Sequence, residues 1–447
     1  MNKYNVCLIN DSFPPLIDGV ANAVTNYAEI ISREHGRATV VTPYYPDTDD
    51  SAFGFPVVRY PSVDMTRLVG YRAGIPFSPE TLKKLEEAKF DIIHCHCPVT
   101  SQILARALRE RVALPLVLTY HTKFDIDIAN AVRGKILQGE ATKLLVENIA
   151  ASDEVWTVSR GAGDNLRKLG YTGDYVVMPN GVDLPRGRVP DELIRQTVGG
   201  FDLPEGQPVF LFVGRMMWYK GIRIILDALK TLTEQGVDYR MVFVGAGGDR
   251  DEIMDYTKSL GLGDRVLFAA PVHDRSLIRA WYCRADLFLF PSTFDTNGLV
   301  VREAAACALP SVLVRGSCAA EDVTDGVNGF LIEENAASMA ALLGTLLQNK
   351  EDLKRVGENA QRDLYMSWDD AVGRACARYG DVIDNYRRGL YPAHRKLSVE
   401  LIRTLMGGSE EYMSRRRLQR AASVSGDERL TIKEKLEDMM QRMERFM

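Results

Sequence analysis

Short apolar, β-rich runs recur along this chain, each followed by a stretch of helical character, and the alternation runs through twice. Asn5–Asn10, Thr39–Pro43, Asp91–His94, Leu116–Tyr120 and Glu154–Val158 read as strands, with helical stretches at Ala21–Arg33 and Ser101–Arg111 between them. After Asn180-Gly181-Val182-Asp183 the texture loosens, and Pro185–Glu205, rich in proline, glycine and charge, reads as a linker. The pattern then restarts with strands at Val209–Val213, Met241–Val244, Val266–Phe268, Leu287–Phe290 and Ser311–Val314, and with a helix over Gly221–Gln235. Strand–helix alternation of this kind makes βα units and a parallel sheet, and an open parallel sheet binds ligands at the carboxyl ends of its strands. Two successive sets predict an α/β protein of two doubly wound domains, residues 1–188 and 189–365, facing each other across a cleft. A helix over 366–390 returns to complete the first domain, and a helical tail occupies 391–447.

Composition narrows the class. The chain has 447 residues, 46% hydrophobic and 26% charged, enough for large cores that need neither disulfide nor metal. With 55 basic and 60 acidic residues the net charge is −5, the wrong sign for a general nucleic-acid binder. Seven cysteines without a repeated spacing argue against a disulfide framework and for a reducing, cytoplasmic setting. The apolar run at the start is broken too soon, by Asp11 and Pro14-Pro15, to be a signal peptide, and no apolar stretch is long enough to span a membrane.

The segment with most chemical potential runs from Thr293 to Glu303, between the strand Leu287–Phe290 and a helix expected over Val300–Cys307. Gly298 would let the backbone approach a ligand, and the amides of Leu299 and Val300 would lie at a helix N-terminus, where unpaired N–H groups favour an anion. Asp295 stands in the loop and Glu303 about one turn inside the helix, so one carboxylate could accept hydrogen bonds from a sugar and the other from a ribose. From spacing alone, a loop aspartate and a solvent-facing helical glutamate read equally well. Arg215 and Lys220 follow the strand Val209–Val213 at the same sheet edge, where two cations suit a diphosphate, although two basic loop residues are more often merely solvated. Gly19 lies in the first strand–helix loop and could bring amides near phosphate, and His121 ends the strand Leu116–Tyr120, where a neutral imidazole could meet a sugar hydroxyl. Each of these also reads as an ordinary turn or strand end. His94-Cys95-His96-Cys97 invites a metal, but alternate strand residues face opposite ways and no second pair supplies the missing ligands. Gly245-Ala246-Gly247-Gly248 is a tight turn rather than a dinucleotide fingerprint, and Ser159-Arg160-Gly161 a strand-end turn rather than a nucleophile.

Taken in order, FPPLIDGVANAV, DIIHCHCP, TYHT, MPNGVD, VGRMMWYKG, VGAGG, FLFPS and DTNGLVVREAAACALPSV resemble the GT4 family of retaining glycosyltransferases with the GT-B fold, over about residues 4–386. The resemblance implies that Arg215 and Lys220 bind the donor diphosphate and stabilise the leaving nucleotide. It also implies that Glu303 holds the ribose hydroxyls, that Asp295 binds donor sugar hydroxyls, and that His121 contacts the transferred sugar near its anomeric carbon. The amides after Gly298 and near Gly19 would approach donor phosphate or sugar. It implies no metal or other cofactor, since cations and helix N-termini supply the electrostatics. It further implies front-face attack by the acceptor hydroxyl, with no protein nucleophile of the glycosidase kind. The family's motif has glutamate at both ends, so Asp295 is a departure, and Ala308 stands where the family often has glycine.

PLIDGVANAV, YHTKFDID and DTNGLVVREAAAC look most like the bacterial branch that glucosylates diacylglycerol, which implies a UDP-glucose donor and a lipid acceptor. Leu430–Met447 carries Ile432, Leu436, Met439, Met440, Met443 and Phe446 near helical spacing, with Arg415–Arg417 upstream. Such a helix can lie on an anionic membrane, on the inner face of the cell membrane in this reading, or pack on the protein itself. Three other readings compete. One is a GT4 enzyme with a polysaccharide acceptor or a GDP-mannose donor. Another is a catalytically silent sugar-nucleotide-binding scaffold, which Asp295 and the tail keep open. The last, a NAD-dependent dehydrogenase, fails on the missing GxGxxG.

Overall fold

The computed structural model describes residues 4–16, 18–64, 66, 72–124, 128, 135–272, 274–348 and 350–392. The tail expected over 391–447 therefore lies, from residue 393 on, outside the described residues. The described residues fall into two compact units, those within 1–119, 131–155 and 379–447, and those within 120–130 and 156–378.

The first part of the chain runs β1 (Tyr4–Ile9), α1 (Gly19–Ile30), β2 (Gly36–Pro43), β3 (Val57–Tyr60), β4 (Ser62–Asp64), β5 (Arg72–Gly74), α2 (Pro79–Glu87), β6 (Ile92–Cys95), α3 (Thr100–Val112), β7 (Leu116–Tyr120), α4 (Lys135–Ala150), β8 (Glu154–Thr157), α5 (Arg160–Lys168) and β9 (Val176–Val177). Its main sheet has the order β3-β2-β1-β6-β7-β8-β9, and β4 pairs with β5 in a separate antiparallel ribbon. Every residue of β6 and β7 is buried, as a parallel strand covered on both faces requires. His94 belongs to this core: its ring nitrogens meet Tyr379 Oη at 2.5 Å and Thr119 Oγ1 at 2.7 Å, and its ring lies 4.0 Å from that of His96. The two histidines thus share a face and each meets Tyr27 edge to face, and no group of three potential metal ligands forms among the described residues.

The second part runs α6 (Asp191–Val198), β10 (Val209–Val213), α7 (Ile222–Glu234), β11 (Arg240–Val244), α8 (Arg250–Ser259), β12 (Val266–Ala269), α9 (Arg275–Arg284), β13 (Leu287–Phe290), α10 (Leu299–Ala306), β14 (Ser311–Val314), β15 (Phe330–Ile332), α11 (Ala336–Leu346), α12 (Lys350–Asp363) and α13 (Trp368–Arg387). Its six strands are all parallel in the order β12-β11-β10-β13-β14-β15. Helix α7 shows why the sequence folds this way. Ile222, Ile225, Leu226, Leu229 and Leu232 recur at i, i+3, i+4 and i+7 spacing and are all buried against the sheet. Each such side chain contributes about 1.5–3 kcal/mol of burial.

One expectation fails here. Pro185–Glu205 is not a plain linker, because α6 forms inside it. Pro190 precedes the helix, Asp191 and Glu192 occupy its positive first turn, and Ile194 and Val198, four apart, bury one face. Expected boundaries elsewhere shift by one to three residues: α10 begins at Leu299 rather than Val300, α13 at Trp368 rather than Met366, and β2 at Gly36 rather than Thr39.

Candidate active site

The order of the second sheet dictates where its site must form. The chain builds outward from β10 through β11 to β12, then crosses to the other side with β13, so the order reverses between β10 and β13. At such a switch point the loops leaving the carboxyl ends diverge and open a crevice. The two loops that leave here are Gly214–Gly221 and Pro291–Gly298, the segments that carry Arg215, Lys220 and Asp295.

Both loops end in a glycine that begins a helix. Gly221 (φ 75°, ψ 15°) starts α7 and Gly298 (φ 57°, ψ 46°) starts α10, both in the left-handed region, and neither helix has a side-chain cap. A Cβ on Gly221 would fall 2.3 Å from the carbonyl oxygen of Pro291, and one on Gly298 would fall 2.8 Å from Cβ of Ala319. Glycine is thus required twice over, by conformation and by contact. Without a capping side chain, the first-turn amides of Leu299 and Val300 keep their donor capacity, the condition for holding an anion.

Lys220 is buried, and its Nζ donates to Asp295 Oδ1 at 2.6 Å. Ser292 Oγ donates to the other carboxylate oxygen at 2.5 Å. The ammonium also lies 5.7 Å from the ring of Tyr219 and 5.8 Å from those of Phe290 and Phe294. A long flexible side chain is thereby fixed by one charge and three rings, so its position is set before any ligand arrives. Arg215, two residues after the end of β10, is exposed. The Gly245–Gly248 turn after β11 packs on the same loop, its Ala246 carbonyl accepting from Met216 N–H at 2.9 Å.

Glu303 lies on α10, with its side chain 13% exposed rather than facing solvent. Its two oxygens meet Arg275 Nη1 at 3.3 Å and Tyr282 Oη at 2.9 Å. Burial pushes the carboxyl above its ordinary range, and Arg275 and then Tyr282 pull it back. Arg275 reaches a second carboxylate, Asp183 Oδ2, at 2.7 Å. Arg275, Tyr282, Ser292 and the role of Asp183 as a partner escaped the sequence reading. Asp183 stood in a noted motif, but its pairing with a residue 92 positions away leaves no mark in the sequence.

His121 follows β7 directly. Its ring is buried, and burial holds the imidazole down to about 3, so it is neutral across the ordinary pH range. Its backbone carbonyl accepts from Thr296 Oγ1 at 2.9 Å, which sets it against the loop that bears Asp295. Lys123 Nζ and Ser159 Oγ reach the carbonyls of Thr293 and Thr296 in that loop at 3.3 and 2.5 Å. Gly19 belongs to the first unit. There Asp18 caps α1, its Oδ1 accepting from the amides of Val20 and Ala21 at 2.8 Å each, so a carboxylate of the chain itself already occupies that helix start.

Two family models match this sequence, "Glycosyltransferase Family 4" over residues 17–186 and "Glycosyl transferases group 1" over residues 196–363. A D-inositol 3-phosphate glycosyltransferase of Xylanimonas cellulosilytica is 31% identical over 302 residues, 64% of this chain and 70% of that protein. The chain belongs to the GT4 family of glycosyltransferases. Among its relatives, the alpha-monoglucosyldiacylglycerol synthase of Acholeplasma laidlawii is 24% identical over 406 residues, 86% of this glycosyltransferase and 98% of that protein. The crystal structure of Anabaena Alr3699/HepE in complex with UDP-glucose superposes with a TM-score of 0.64 at 20% identity, covering 86% of this glycosyltransferase and all of that chain, which establishes the GT-B fold. No helix among the described residues of this glycosyltransferase is long and apolar enough to cross a membrane.

Proposed function

We propose that this glycosyltransferase moves glucose, with retention of configuration, from UDP-glucose to a hydroxyl of diacylglycerol or a similar lipid. The observation that carries the reading is the buried Lys220–Asp295 pair set between two glycine-started, uncapped helices at the switch point of the second sheet. In this account the donor diphosphate takes the amides of Leu299 and Val300, with Arg215 and Lys220 neutralising charge as UDP leaves. Glu303 accepts the ribose hydroxyls, Asp295 a hydroxyl of the glucosyl ring, and neutral His121 a bond near the anomeric carbon. In this account no residue supplies a covalent nucleophile: the acceptor hydroxyl attacks from the face that UDP vacates, the bond from the anomeric carbon to the phosphate oxygen breaks, and the hydroxyl proton passes to the departing phosphate. No metal is needed, because two cations and two helix termini carry the electrostatics.

A UDP-glucose donor is supported by the Anabaena complex, and a lipid acceptor by the diacylglycerol synthase that aligns over nearly its full length. The second reading, a phosphorylated polyol acceptor, is favoured by the higher identity to the inositol phosphate enzyme. Full-length protein is assayed with UDP-glucose, UDP-galactose, UDP-GlcNAc and GDP-mannose, each with diacylglycerol vesicles or with inositol 3-phosphate. Turnover of UDP-glucose only with vesicles, to an α-linked product by proton NMR, supports the first reading. Turnover only with inositol 3-phosphate replaces it with the second, and failure of every donor to bind sinks both.

A further inference from the structure

Arg275 occupies the first position of α9, directly after the capping residue Asp274. A cation there opposes the helix dipole, which favours negative charge at the N-terminus. A residue that works against its local structure calls for a reason elsewhere. Two carboxylates supply it. Arg275 spans Asp183 at 2.7 Å and Glu303 at 3.3 Å, although its side chain remains 50% exposed. Among the described residues, the charged and titratable groups facing Glu303 are thus Arg275 and Tyr282 from α9 and Asp183 from the segment before α6.

We propose that Arg275 is a positioning residue for nucleotide recognition, acting through Glu303, with Asp183 tethering it from behind. The inference rests on the reading of Glu303 as the ribose contact. A carboxylate that takes two ribose hydroxyls must be ionised and must keep lone pairs open toward the ligand. Arg275, fixed by Asp183, supplies the counter-charge, and since Arg275 takes one bond at Oε1 and Tyr282 one at Oε2, each oxygen keeps a further lone pair for a hydroxyl. Without it, Glu303 would be a nearly buried acid with one neutral partner, Tyr282, and its protonated form could not accept both hydroxyls.

The test is calorimetric titration of UDP and of 2′,3′-dideoxy-UDP into the full chain at about pH 8 and about pH 6, with wild type, Arg275→Ala, Arg275→Lys and Glu303→Ala. Loss of one charge-assisted contact predicts that Arg275→Ala weakens UDP about tenfold at the higher pH. The loss is larger at the lower pH, dideoxy-UDP binding is unchanged, and Arg275→Lys restores part of the affinity. Equal penalties on both nucleotides, or none on UDP, overturn the proposal. Glu303→Ala separates the two levels. If it too leaves UDP binding unchanged, the ribose reading falls and this inference with it; if it weakens UDP while Arg275→Ala does not, the role of Arg275 alone is refuted.

Discussion

The two sheets of this glycosyltransferase reverse strand order in the same way, yet treat the helix starts at the reversal differently. In the first, β1 is flanked by β2 and β6, and the helices that follow β1 and β6 are closed by carboxylates of the chain. Asp18 caps α1, and Asp11, itself buried, accepts from the backbone N–H and Oγ of Ser101 at 3.0 and 2.8 Å in the first turn of α3. In the second, β10 is flanked by β11 and β13, and the helices after β10 and β13 begin at glycines with no side-chain cap. The same reversal of strand order therefore produces a sealed edge in one case and an edge with uncapped helix starts in the other. Fold alone does not make an anion site; whether a carboxylate of the chain already takes the first-turn donors decides it.

That contrast can be broken most severely at Lys220. Lys220→Ala should lower kcat for donor turnover by about 10²–10³, the loss seen when a charge-stabilising donor is removed. It should also lower stability by about 3 kcal/mol or more in urea unfolding, because Asp295 is left without its partner. Activity within a few-fold of wild type would remove the second sheet's claim to the chemistry.

Gly298→Ala comes next. A methyl there meets Ala319 at 2.8 Å and forces a left-handed conformation on a residue with a side chain. The conformation alone costs about 1–2 kcal/mol, so thermal unfolding should shift down and UDP affinity should fall with the displaced helix start. Unchanged affinity would show that the α10 amides do not hold the diphosphate.

His121 sharpens the comparison through pH. Its folded value of about 3 lies below that of an unfolded histidine, so the unfolded chain binds the extra proton as pH falls. Stability contributed by the neutral ring is therefore full above about pH 6.5 and lost below it, at up to about 1.4 kcal/mol per pH unit. His121→Gln should flatten the acid side of the urea-midpoint profile, and identical profiles would mean that the ring is protonated in place.

The smallest effect belongs to the sealed edge. Asp18→Ala should cost about 1 kcal/mol of stability, the usual worth of a cap, and leave donor KM unchanged. A large rise in KM would bring Gly19 and its neighbours into the donor site.

The sequence made the strands legible because parallel strands are buried on both faces: Val209–Val213, Leu287–Phe290 and Ser311–Val314 are as continuous in the fold as in the text. Lys220, Asp295 and Gly298 could be picked out because strand–loop–helix punctuation puts them at a carboxyl edge. What the text withheld is pairing at a distance. Lys220 and Asp295 are 75 positions apart, so reading one as a phosphate cation and the other as a sugar contact left their mutual bond unseen. Arg275 gives no signal in the sequence because its partners lie 28 and 92 positions away. Helix α6 is a different omission: its acidic first turn and its apolar pair four apart were readable, but the flanking prolines and glycines masked them.

The most direct test of the central claim is a crystal structure of the protein with UDP. The account predicts the diphosphate within hydrogen-bond distance of the Leu299 and Val300 amides and of Lys220, and the ribose hydroxyls on Glu303. A diphosphate bound at the start of α1 instead, displacing Asp18 from its amides, would contradict it.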